Sequence, residues 1–400
     1  MSSLGHRMKT KKCLLPIFSI IMEMSSAICI PFFLSAGMLF GSSFQYLKED
    51  QGITIRGYLG PPGRIEIPQT IDECPVTKIE QQAFRENLGV TSVIIPQGVT
   101  EIGDKAFWGC ENLSSIVMPP RLSHLGREVF SYCGRLSGIE IPAGLNEIPA
   151  STFEHCDSLY QIQIPVGVLS IGTQAFANCE MLVKVQFPES LETIGDYAFQ
   201  GCPQLGSVRL STSLTYIGNY AFAHCEKLND IVAPEGLISI GTHAFLNCRK
   251  LSKFVMPVHL TQIGKHVFKG CDGLSQVLIS PALQEIPDHA FWACQNLQEV
   301  SVPSGITDIG DEAFRDCQRL KSIFLPEKLR RIGKRAFENC YNLKDLSVPL
   351  SVQFIGDGAF LGCRQLEILE LPISLLVVSP RPEFEVPKET KIRPVIRANP

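Results

Sequence analysis

Apolar and polar residues follow one another along this chain in a cadence that fits neither a helix nor a long strand: the pattern closes on itself every 23 residues. One unit runs Ile194, Gly195, two variable positions, Ala198, Phe199, two more, Cys202, two more, Leu205, two more, Val208, one further residue and Leu210. A phenylalanine keeps the same phase from Phe84 to Phe360, and twelve cysteines, Cys110 to Cys363, follow it by three residues without one insertion or deletion. Thirteen units result. A fixed period of this length identifies a repeat architecture before any local structure is assigned.

Inside the unit, Val208 and Leu210 flank one polar residue, the period-two alternation of a strand with its flanking residues inward and the middle one outward. The proline that usually follows, as at Pro119, Pro142, Pro165 and Pro188, ends that strand because it has no N–H to give the ladder. A second extended piece, residues 191–194 in this unit, turns at Gly195. Each coil is expected to carry two short strands joined by turns, and stacking places equivalent residues about 4.8 Å apart in parallel sheets. Ser211 and Ser280 occupy the strand-ending proline position, and Pro149 and Pro287 replace the glycine after Ile; these exchanges are expected to affect turns and leave function untouched.

These residues resemble the BspA-type leucine-rich repeat family, whose units run IPxxVTxIGxxAFxxCxxLxxV, and the resemblance covers residues 52–378. It implies a β-rich solenoid: a leucine-rich-repeat right-handed coil with short parallel strands and about thirteen 23-residue repeats. It further implies a secreted or surface protein, usually microbial, that takes part in adhesion or protein–protein contact and has no catalytic residue or cofactor to carry over. Residues 44–82 read as an N-terminal cap, with extra residues between Pro68 and Ile79 relative to the spacing of Pro96 and Ile102, and residues 83–378 as the repeats. After Val378 the pattern stops, and the proline-rich residues 379–400 read as a C-terminal cap or a disordered tail.

A chain of 400 residues ordinarily suggests two or three domains, but a solenoid grows by adding coils and escapes that rule. The formal net charge of -4 argues against nucleic acid, whose binders carry a clustered basic surface. Residues 1–43 stand apart: His6, Arg7, Lys9, Lys11 and Lys12 precede apolar runs at 13–22 and 27–40, and small residues Gly41 and Ser43 precede Phe44. This is the pattern of an export signal cleaved before Phe44 or, because the two runs together are long, of an uncleaved anchor. Membrane contact is expected only through this segment.

The cysteine column admits three readings: disulfide staple, metal array or buried thiol. In-register stacking leaves the Cβ vectors parallel with no favoured phase of pairing, and a chain starting at Phe44 would hold an odd number of cysteines. A single-file row also lacks tetrahedral convergence on a metal, so the buried structural thiol is preferred. Two surface sets stand out. Tyr197, Tyr220, His243, His266 and His289 fill one slot on five consecutive coils and predict an exposed aromatic stripe able to stack on a sugar or a partner's side chains or to let two imidazoles share a metal ion, or a merely solvated row. Val232, Val255 and Leu278, outward mid-strand residues on consecutive coils, predict an apolar patch of the kind that marks interaction sites, or ordinary strand propensity at exposed positions. The partner implied is a protein or glycan on another surface, with self-assembly into an envelope or matrix as the alternative. The sequence has no GxSxG elbow, HExxH helix or phosphate-cradling glycine loop, so no enzyme is expected.

Overall fold

The computed structural model describes residues 43–377 and 385–395. The leader read in residues 1–43 lies outside the described residues apart from Ser43. The alternation of the sequence becomes two strands per coil, a three-residue one such as Ser207–Arg209 and a two-residue one such as Thr193–Ile194. Repetition produces a β-solenoid of about 15 turns of ~23 residues. Equivalent strands pair in parallel and in register, Ser207 with Asp230 and Thr193 with Tyr216. In Ser207–Arg209 the middle residue is buried and its neighbours are exposed, because Val208 and Leu210 face the core while Arg209 faces out.

Between the glycine and the cysteine the chain makes a tight turn that is itself a ladder. His243, Phe245 and Asn247 donate their N–H groups to Lys265, Val267 and Lys269 of the next coil, at 3.0, 2.9 and 2.8 Å, while Leu246 bonds back to His243 at 3.0 Å. This alternation forces two left-handed residues per coil, such as His243 with φ 58° and Asn247 with φ 57°. The slot before most of the cysteines accordingly holds Gly109, Asn178, His224, Asp316 and similar residues, the types that tolerate positive φ, with Tyr132 and Ala293 as exceptions.

The core is a column of phenylalanines, one per coil, with near-parallel rings whose centroids lie from 4.8 Å apart at Phe84–Phe107 to 5.9 Å at Phe337–Phe360. Each cysteine of the column is buried beside it, and its Sγ donates to the carbonyl of the phenylalanine one coil back, at 3.0 Å for Cys110 and 3.2 Å for Cys248. The preferred reading as a buried thiol thus gains a concrete task. Asn87 holds the cysteine position in the first unit, and its Oδ1 accepts the N–H of Gly89 at 3.0 Å.

At the N-terminal end Phe44–Glu49 lies antiparallel to Gly52–Tyr58, which pairs in parallel with Cys74–Ile79. The extra residues after Pro68 fold back as Thr70–Ile71 against that last strand. At the C-terminal end Lys391–Val395 pairs in parallel with Ile368–Pro372. It is an edge carrying Lys391, Arg393 and Pro394, residues that blunt pairing with other chains.

The sheets are not continuous, and here the structure corrects the sequence reading. The ladder of two-residue strands stops between His124–Leu125 and Glu147–Ile148, and again between Gln262–Ile263 and Glu285–Ile286. Elsewhere the glycine after Ile donates to the isoleucine one coil back, as Gly218 does to Ile194 at 2.8 Å. Pro149 and Pro287 have no N–H to donate, so their effect reaches beyond the turn into the ladder. Ser211 and Ser280 behave as expected: their hydroxyls donate to the carbonyls of Glu189 and Val258 and accept the N–H groups of Ser213 and Ala282.

Candidate interaction surfaces

The aromatic stripe sits in the turn, on the first of its two left-handed residues, where the backbone sends each side chain out over the one before. Tyr197, Tyr220, His243, His266 and His289 form one face-to-face pile, with centroid separations of 4.9, 4.4, 4.3 and 4.2 Å and planes within 11°. The expected exposed stripe is therefore half-buried: the rings cover one another's faces and offer the outside only their edges. A sugar needs a free ring face to stack on, and the rings inside this pile turn none outward. Parallel rings also point their in-plane lone pairs side by side, and among the described residues no group of three or more His, Cys, Asp or Glu converges for a metal.

Trp292 ends the pile, its ring 5.3 Å from that of His289 and tilted. Lys269 Nζ stands 3.7 Å above this indole, and Trp292 Nε1 donates to Asp316 at 3.0 Å. Arg315 beyond it pairs with Glu312 at 2.8 Å and Glu338 at 3.3 Å. Sequence reasoning missed Trp292 because it follows Phe291 in a different slot; the signal was that both tryptophans of the chain, Trp108 and Trp292, fall in that one slot. The Nδ1 atoms of His243, His266 and His289 are buried without a hydrogen-bond partner. Burial, then the charges of His289, His243 and Lys269, pushes His266 down to about 4; His243 is lowered for the same leading reason.

The strand face carries the second set. Val255 and Leu278 are partners in register, and Val232 lies on the neighbouring strand, packed beside Lys253–Val255 but part of a different hydrogen-bonded ladder. Their exposures are 67% for Val232, 42% for Val255 and 58% for Leu278. Phe324, in the same outward column and 68% exposed, adds an apolar residue two coils further on. Beside it Leu325, Leu346, Val348, Leu350 and Val395 line an open cleft of about 440 Å³. Phe324 was legible in the sequence as a mid-strand aromatic, but Ser301 separates it from the triplet and breaks the run. The strand-opening residues Asp230, Lys253 and Gln276 mix charge signs along the patch.

A parallel two-strand coil with a buried ladder and variable outward columns defines a leucine-rich-repeat solenoid. The family model for the BspA type leucine rich repeat region matches in several copies across residues 77–206, 146–275 and 261–381, and the chain belongs to that family. Among solved structures, a leucine-rich repeat protein from Bacteroides ovatus is 32% identical, with a TM-score of 0.73 over 89% of this chain and 99% of that one. A leucine rich cell surface protein from Faecalibacterium prausnitzii is 31% identical, with a TM-score of 0.54 over 78% and 94%. The pneumococcal vaccine antigen PcpA, 17% identical with a TM-score of 0.52 over 90% and 98%, shares the fold. No curated protein matches the chain.

Proposed function

We propose that this protein is a non-catalytic module of the cell surface or the secreted space that holds a protein partner on its strand face, centred on Val232, Val255 and Leu278. The observation that carries the reading is the exposure of three consecutive apolar residues on a face whose other outward positions are largely polar. The half-buried state of the ring pile argues for a protein over a glycan, because a protein can use the apolar strand column without a free aromatic face. The family is typically non-catalytic, and the Faecalibacterium relative is described as a cell surface protein, which supports export together with the leader-like residues 1–43.

A photo-cross-linking residue placed at Val255, with a second at the exposed Val166 as control, tests the surface. Cross-links to one protein from Val255 alone, lost when Val232, Val255 and Leu278 are changed to Lys, are the expected result. Equal capture from Val166, or capture surviving the triple change, sinks the assignment of this face. If the captured protein is a second copy and sedimentation shows the triple variant to be monomeric, the surface serves self-assembly and the adhesion reading is wrong.

A further inference from the structure

Ten of the thirteen glycine slots following the inner Ile or Leu hold glycine in the strict repeats and their flanks for two physical reasons, and Pro149 and Pro287 violate both. The glycine N–H crosses to the coil before, and its missing side chain lets the coils touch: a Cβ on Gly241 would stand 2.5 Å from the N of Asn219. A proline supplies a ring where no Cβ fits and removes the donor. The consequence is visible in the residues just before each break. Leu125 is 4% and Ile263 9% exposed, whereas Ile102, Ile148, Ile194, Ile217 and Ile286 in the same slot are 0%.

The boundary at Pro149 is the weaker of the two. There the three-residue ladder stops as well: among the described residues, 138–141 form no strand and pair with neither Ser115–Val117 nor Gln161–Gln163. An open cleft of about 930 Å³ lies over this coil, lined by Val117, Met118, Ile139, Ile141, Tyr160 and others. At Pro287 the three-residue ladder runs on, Lys253–Val255 pairing fully with Gln276–Leu278, and Gln276 alone with Glu299. The core and the turn join the coils at both boundaries. Phe130–Phe153 and Phe268–Phe291 stack at 5.5 and 5.6 Å, and Phe130 and Phe268 donate to Thr152 and Ala290 at 2.9 Å each.

We infer that Pro149 marks a built-in hinge, with Pro287 a stiffer copy, at which neighbouring coils part more readily than elsewhere, turn ladder included, because fewer strand-ladder bonds hold them. The two-residue ladder then divides the chain into three blocks, from Gly52 to Leu125, from Glu147 to Ile263 and from Glu285 to Ile355. Opening a stacked boundary breaks its ladder bonds together, so a boundary lacking them opens more often.

Hydrogen exchange on the full chain, read by mass spectrometry, tests this at the turns, whose bonds are alike at every boundary. The donors at residues 126–133 cross the Pro149 boundary, those at 264–271 the Pro287 boundary, and those at 195–202 and 218–225 cross boundaries where the two-residue ladder is intact. We expect exchange about tenfold or more faster at 126–133 than at the two intact boundaries, with 264–271 between. Pro149→Gly and Pro287→Gly, which restore the residue used in neighbouring coils, slow both to the level of the intact boundaries. Gly195→Pro speeds 172–179. Equal exchange at all four segments in the native chain, or unchanged rates in the glycine variants, overturns the hinge.

Discussion

His266 shows how a single slot acquires chemistry from its neighbours. Its imidazole lies between those of His243 and His289, with Lys269 facing the same pile and Asp288 and Lys265 paired beside it at 2.8 Å. Its pKa falls to about 4, below the ordinary value of 6.5, chiefly through burial and then through its cationic neighbours. A group whose folded pKa is depressed contributes stability above its unfolded pKa and loses it as pH falls toward the folded one. The thermal midpoint should therefore drop between pH 6.5 and about 4, and His266→Asn, which keeps a residue suited to positive φ, should flatten that drop in a pH series. An unchanged slope would show that the pile does not control acid stability.

The cysteines make a second residue-scale case. Burial pushes the Cys110 thiol up to about 12 and raises Cys248 well above the ordinary thiol value, so thiolate is scarce along the column. In native alkylation followed by peptide mass spectrometry, the half-buried Cys74 should label well before any cysteine from Cys110 to Cys363. Early labelling inside the column would mean the coils open more freely than their packing implies. Cys248→Ala, which removes the S–H bond to Phe222, should cost about 1–2 kcal/mol in chemical denaturation.

At the scale of the element, the turn explains what strand patterning cannot. The period-two alternation foretold both strands of each coil, because the buried and outward positions follow from the pleat. It did not foretell the turn ladder, whose left-handed residues are spread over Tyr, His, Gln, Glu and Lys as well as Gly and Asn. The recurrence of Asn, Gly and His before most of the column's cysteines was the available signal. Phe222 is held on both sides by rings at 5.4 and 5.6 Å, so Phe222→Ala should lower stability by roughly 3–5 kcal/mol in a urea titration. A loss below 1 kcal/mol would mean that the column relaxes to fill the gap.

For the whole molecule, each coil touches only its neighbours, so stability is a sum of unit and interface contributions along one dimension. Removing residues 196–218, one full period between equivalent positions, joins like to like and should leave a folded chain with a similar circular dichroism spectrum. A deletion half that long inverts the register and should unfold the region around it. If the one-period deletion unfolds as badly, the coils are not interchangeable.

Periodicity alone settled the solenoid, its 23-residue register, the phenylalanine and cysteine columns and the inward or outward sense of the strand residues, because in-register stacking makes equivalent positions share one environment. It also located Val232, Val255 and Leu278 on the outward column, where the structure finds them exposed. Stacking in three dimensions decided the rest. Only the piling of rings in the turn shows that His243, His266 and His289 turn their edges outward, since exposure depends on what the adjacent coil covers. Only the ladder shows that a proline in a glycine slot divides a sheet, since the bond it omits joins residues a whole period apart.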